Sequence, residues 1–207
     1  MTQMSALETA SAIRTGQTSV IEVVEDALDR AHADECHAWS WIDDEGARHT
    51  AHEMQRKLDA GEVEPGPLFG VPCPIKDLNA LAGAPRHLGS RAIGGHPSET
   101  DDGIVALLKA AGTVPIGTTT APEFGLPCYT EPAGRAPTAT PWDLARMSGG
   151  SSGGAAAAVG DGHDDRRVHA RIVLGAALAA AGDIAGAAER HAPAATPAML
   201  GTRAPVL

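Results

Sequence analysis

Six consecutive small residues, Gly149-Gly150-Ser151-Ser152-Gly153-Gly154, constrain this chain more than any other stretch. Glycine gives the backbone freedom and leaves no side chain to pack, so the run reads as a loop that can approach something closely. Its two hydroxyls can be presented there. Ala155 to Val159 then look like the start of a buried helix. Alone, such a run reads as a flexible linker. A phosphate loop is disfavoured, because no lysine follows the glycines as G-x-x-x-x-G-K-[ST] requires. The reading changes with Lys76 in Pro74-Ile75-Lys76-Asp77, just after a short apolar strand. A lysine alone is by default a surface residue, and Asp77 would serve as its ion-pair partner or as a cap. A desolvated lysine, however, can become the base that deprotonates a hydroxyl. Lysine and serine pair together suggest nucleophilic acyl transfer without histidine.

Around these two motifs the chain alternates element types. Ser5-Ala6-Leu7-Glu8 reads as a capping box with Gly16 past the helix end, and Ser19 with Glu22 repeats the device. Ile21, Val24, Leu28 and Ala31 fall on one face of that second helix. Trp39, Trp41 and Ile42 suggest a short strand, and Ala47, Ala51, Met54 and Leu58 a third helix ended by Gly61. Leu68 to Ile75 holds Pro72 and Pro74, which cannot donate ladder hydrogen bonds, so it is an irregular or edge strand. Ile104, Leu107, Leu108 and Ala111 give a helix closed by Gly112, and Val114 to Ile116 the next strand. The stretch 117–140 is rich in turn residues and has little period. Strand, helix and strand in this order suggest an α/β layer structure.

Several function classes are disfavoured. A formal charge of -10, from 26 acidic against 16 basic residues, argues against nucleic acid or an anionic membrane as partner. No apolar run approaches bilayer length. The first residues carry neither a basic n-region nor an apolar h-region, so a secretory signal is not expected. Cys36, Cys73 and Cys128 are scattered and odd in number, which fits a reduced cytoplasm rather than a disulfide framework or a zinc ribbon. Cys73 reads as a small core residue. His163 with Asp164 and Asp165 reads as a polar turn rather than a metal site, and no metal or organic cofactor is implied.

The ordered motifs resemble those of the amidase signature family of amide hydrolases. Gly66-Pro67-Leu68-Phe69-Gly70-Val71-Pro72 leading to Ile75-Lys76-Asp77-Leu78 is similar to the family's lysine-bearing strand. Gly89-Ser90-Arg91, Ala110-Ala111-Gly112 with Val114, Ile116, Gly117 and Thr118, Pro122-Glu123-Phe124-Gly125 and Pro141-Trp142-Asp143 follow in compatible order. The resemblance covers roughly 5–160. It implies the N-terminal part of the amidase-signature fold, a mixed β-sheet flanked by helices, and a small-molecule amide as substrate. It also implies that Lys76 is the general base and that Ser151, after a cis peptide, is the bridging serine. Ser152, Gly150 and Gly149 would line the substrate.

The resemblance also implies a further serine, the acylated one, in a glycine-rich turn beyond Ser151. No serine follows Ser152 in this sequence. Asp183-Ile184-Ala185-Gly186-Ala187 is a faint echo of such a turn at too long a spacing, so no nucleophile is assigned. The character of the chain changes near Gly160. Residues 1–160 are expected to be the N-terminal portion of the domain. Residues 161–207 are expected to be a divergent Ala/Arg/Pro-rich tail, frame-shifted or partly disordered. Reading one base later through Gly160 to Arg167 permits a small-residue pattern suited to the family. The expected function is therefore that of an amide hydrolase, truncated and inactive in this chain. The alternative is a non-catalytic small-molecule or protein-binding remnant of the fold. The amide, the choice between hydrolase and glutamine-dependent transferase, and the oligomeric state stay open.

Overall fold

Two capping boxes start the fold. In the computed structural model, which describes residues 4–160, the Ser5 hydroxyl accepts from the Glu8 amide and the Glu8 carboxylate accepts from the Ser5 amide at 2.7 Å. Ser19 and Glu22 do the same at 3.1 and 2.9 Å. Each box satisfies orphan amides at a helix start, so α1 (Ala6–Arg14) and α2 (Val20–His32) begin where the sequence predicts. Gly16, Gly61 and Gly112 each carry a positive φ just past a helix end. The divergent tail expected at 161–207, with His163, Asp164 and Asp165, lies outside the described residues.

The remaining elements are β1 (Trp39–Ile42), α3 (Asp44–Asp59), β2 (Pro72–Lys76), α4 (Gly103–Ala110) and β3 (Val114–Thr119). They are followed by β4 (Ala139–Thr140), β5 (Asp143–Met147) and α5 (Gly153–Gly160). Strands β1, β3 and β2 form a sheet in that order, with β1 antiparallel and β2 parallel to β3. The sheet is mixed, as expected, and β3 is buried along its whole length at the centre. The prolines of β2 sit on an edge strand, with a register shift between Cys73 and Pro74. That is where a residue without an amide hydrogen is tolerated.

The main core joins α2 and α3 to the sheet through Val20, Val24, Leu28, Ala47, Ala51, Phe69, Val114 and Ile116. A second cluster, Ile75, Leu81, Ala84 and Val105, packs α4 against the lysine-bearing strand. Among the described residues no helix is long and apolar enough to cross a membrane.

The helix expected before Gly112 is α4; within it Ile104 and Leu107 are 43% and 42% exposed, whereas Val105 is fully buried. Two local expectations need correction. The 117–140 stretch is less irregular than its composition suggests, since β3 runs on to Thr119 and β4 pairs with β5 in an antiparallel ribbon. Finally, the small-residue loop is shorter than the run itself, because Gly153 and Gly154 already form the first turn of α5.

Candidate functional site

The end of β3 hangs two halves of a site together. On one side, Lys76 is the last residue of β2 and pairs in register with Thr119. On the other, the amide of Gly154 donates to the Thr120 carbonyl at 3.2 Å, which fixes the start of α5 against the same strand end. A Cβ at Gly154 would run into the amide and carbonyl of Thr120. Glycine is therefore required by this close approach.

The loop between is clamped from a second direction. The Thr130 hydroxyl donates to the Gly149 carbonyl at 2.7 Å, and the Ser148 amide donates to the Thr138 carbonyl at 2.8 Å. A Cβ at Gly150 would come within 2.7 Å of the Tyr129 nitrogen, so that glycine lets the loop lie flat on residues 128–130. Gly149 takes φ +79, and the Gly150–Ser151 peptide is cis. Thr120, Thr130 and Thr138 are all buried, and their hydroxyls are consumed internally. Thr120 and Thr138 share a bond of 2.6 Å, and both reach the carbonyl of His37.

This framework brings Lys76 and the serine pair together. Lys76 Nζ donates to Ser151 Oγ at 2.8 Å and to Ser152 Oγ at 3.0 Å. The lysine is half-buried, and among the described residues no carboxylate pairs with it. Burial pushes its pKa below the ordinary lysine value. Asp77 is not its ion-pair partner. That carboxylate is 2% exposed and accepts the amides of His87 and Gly89 at 3.0 and 3.3 Å. It thereby caps the loop that carries Ser90, whose hydroxyl donates to Glu123 at 2.6 Å.

Chemically, a lysine able to lose its charge, in contact with two hydroxyls, can take a proton from either. When Lys76 is neutral the donor and acceptor roles reverse, and the serine O–H points at the amine. Gly149 and Gly150 flank the hydroxyls as the sequence suggests. Cys73 is half-buried against the cluster of Ile75 and Val105, and its thiol is pushed up to about 11. No group of three or more His, Cys, Asp and Glu side chains is placed to hold a metal among the described residues. Thr130 has no signature in the sequence, and of the two roles open to Asp77 the structure shows the cap and not the ion pair. Thr130 and Asp77 both depend on contacts with residues far along the chain or around a turn.

A family model described as Amidase matches residues 22–163. Among curated relatives, the A-type subunit of glutamyl-tRNA(Gln) amidotransferase from Salinispora arenicola is 42% identical over 161 residues, which is 77% of this chain and 33% of that protein. Its counterpart from Acidothermus cellulolyticus is 40% identical over 157 residues, covering 75% of this chain and 31% of that one. Among solved structures, a bacterial aryl acylamidase of the amidase signature family aligns with a TM-score of 0.72 at 32% identity. That alignment covers 77% of this chain and 34% of the other. The chain thus spans about a third of the length of the relatives it matches.

Proposed function

The chain belongs to the amidase family, and on that premise we propose that residues 4–160 carry the base and proton relay of an amide-cleaving, acyl-transfer site. One observation carries the reading: the Lys76 amine lies 2.8 Å from Ser151 Oγ, with its pKa lowered by burial. In this proposal the neutral amine of Lys76 draws the proton of Ser151. Ser151 in turn takes the proton of an attacking hydroxyl, so that charge need not build on the serine itself. When the amide breaks, the protons return along the same path to the leaving amine. Ser152, at 3.0 Å from the same amine, lines the substrate.

The proposed substrate is a small carboxylic amide. The proposed setting is a reduced cytoplasm, which suits three cysteines that form no disulfide. The acylated serine that the family resemblance calls for has no counterpart after Ser152 in this sequence. We therefore take this chain by itself to hold the relay and to stop short of acyl transfer.

Two measurements separate the parts of this reading. Titration of the Lys76 side chain by NMR should give a pKa below the ordinary lysine value, altered again in Ser151→Ala. An ordinary value insensitive to Ser151 defeats the base-and-relay assignment. Incubation with aryl amides and a fluorophosphonate probe should give neither turnover nor labelling. Serine labelling abolished by Lys76→Ala would show that the chain is a complete catalyst after all.

A further inference from the structure

Beside Asp77 a cavity of about 390 Å³ opens between the 87–94 loop, the 132–135 turn and Ser40 of β1. Small-molecule sites run from about 300 to 1,000 Å³, so the volume suits a compact ligand. Its lining is biased in sign. Arg91, Arg135 and His87 all reach it, and its one lining carboxylate, Asp77, is already held by the amides of His87 and Gly89.

Arginines in this acidic chain generally find a carboxylate. Arg30, Arg48, Arg56, Arg86 and Arg146 each meet one at 3.9 Å or closer. Arg14, Arg91 and Arg135 meet none among the described residues; Arg14 lies elsewhere, on the Gly66 carbonyl at 3.2 Å, which leaves the other two at the cavity. Arg135 uses one N–H on the Ser40 carbonyl at 3.0 Å, which orients the side chain toward β1. Arg91 lies across Gly134, where a Cβ would come within 2.7 Å of its Cδ. The missing side chain at 134 leaves room for Arg91 there, and both arginines line the same cavity. Ile93, Pro132 and Ala133 supply an apolar wall.

We propose that this cavity binds a small organic acid, its carboxylate gripped by the guanidinium forks of Arg91 and Arg135 and its carbon skeleton resting on the apolar wall. Planar forks match carboxylate oxygens, and charge-assisted bonds of this kind are among the stronger polar contacts. The apolar wall favours an organic acid over a bare inorganic anion. The site stands apart from the amide-cleaving reading, since Lys76, Ser151 and Ser152 do not line it.

Isothermal titration of the full chain with succinamate, its neutral diamide and inorganic phosphate tests this. Succinamate should bind and weaken with added salt, while the diamide should not bind. Arg91→Gln and Arg135→Gln should each weaken succinamate about tenfold, the loss of one charge-assisted contact. Arg91→Lys should fall between, and Lys76→Ala should leave binding unchanged. If Arg135→Gln fails to melt cooperatively, Arg91→Gln decides, because its side chain donates to no protein acceptor among the described residues. Absence of succinamate binding, indifference to both arginine variants, loss of binding in Lys76→Ala, or tighter binding of phosphate than of succinamate would each overturn the assignment.

Discussion

Lys76 and Asp77 are neighbours of opposite charge that form no ion pair. The Asp77 carboxylate points at the backbone of the 87–89 loop, and Lys76 Nζ points at Ser151 and Ser152. Strand geometry sends successive side chains to opposite faces, so the sequence Lys-Asp at a strand end delivers one group to each side. The separation has a chemical consequence. A carboxylate against the ammonium would favour the charged form and raise its pKa. With Asp77 committed elsewhere, burial is left to lower it.

Replacing Asp77 with alanine removes the acceptor from two amides in a buried setting. Leaving buried donors unpaired costs about 1–3 kcal/mol, and bonds to a charged acceptor lie at the upper end. We expect Asp77→Ala to lose about 2–3 kcal/mol in urea unfolding with an unchanged m-value. Asp77→Asn should lose less, because its amide oxygen still accepts from Gly89 or His87. A change within about 0.5 kcal/mol, the range of an ordinary surface substitution, would show that the loop does not depend on this carboxylate.

The three thiols should differ in reactivity. The thiolate is the nucleophile, and both burial and a raised pKa suppress it. Cys36 is fully buried, and the Cys73 thiol is pushed up to about 11, whereas Cys128 is exposed. Iodoacetamide on the native chain should label Cys128 first, with Cys36 and Cys73 reached only after denaturation. Peptide mapping of a time course reads this directly. Early labelling of Cys73 would contradict its packing beneath α4.

These features differ in how far the sequence discloses them. Capping boxes at Ser5 and Ser19 are local, so three or four residues suffice to read them. The prolines of β2 likewise announce an edge position without reference to the rest of the chain. The approach of Lys76 to Ser151 joins residues 75 positions apart, and only the family resemblance links them. The buried threonines are harder still. Thr120 and Thr138 satisfy their hydroxyls on each other and on carbonyls near His37. By composition they look like surface turn residues. The exposure of Leu144 and Met147 on β5 similarly hides a strand from any reading based on apolar alternation. Arg91 and Arg135 are distant in sequence and converge only through two loops.

Within the serine loop, two glycines should respond to alanine for different reasons. At Gly149 nothing lies within 4 Å of an added Cβ, but φ is +79. The cost there is conformational, about 1–2 kcal/mol for an L-residue in the left-handed region. At Gly154 the obstacle is the Thr120 backbone at the end of the central strand. Thr120 cannot retreat, since its own amide donates to the Ala38 carbonyl at 2.9 Å. Overpacking of this kind typically costs about 1–3 kcal/mol and displaces the intruding element. Gly154→Ala should therefore also disturb the Lys76 titration, because α5 and the serines move away. Gly149→Ala should lower stability and leave that titration nearer to the wild-type value. Identical titrations in the two variants would show that α5 does not position the hydroxyls.

The lowered pKa of Lys76 carries a sign in folding stability that a matched variant can isolate. In the unfolded chain the amine titrates near 10.5, and in the folded chain it titrates below that because burial disfavours the ammonium. Between the two values the unfolded state binds more protons than the folded one, so stability rises with pH across that window. Below the folded value both states are charged, and the burial penalty is fully present. Lys76→Met keeps the stem without the charge and removes this dependence. The difference in unfolding free energy, wild type minus Lys76→Met, should climb as pH rises from neutrality toward 10.5. Subtracting the variant cancels the other lysines and the tyrosine, which titrate in both proteins. A flat difference would mean that the amine is as well solvated in the fold as outside it. A falling difference would mean that a hidden anion holds the ammonium in place, and Lys76 would then be a structural cation rather than a base.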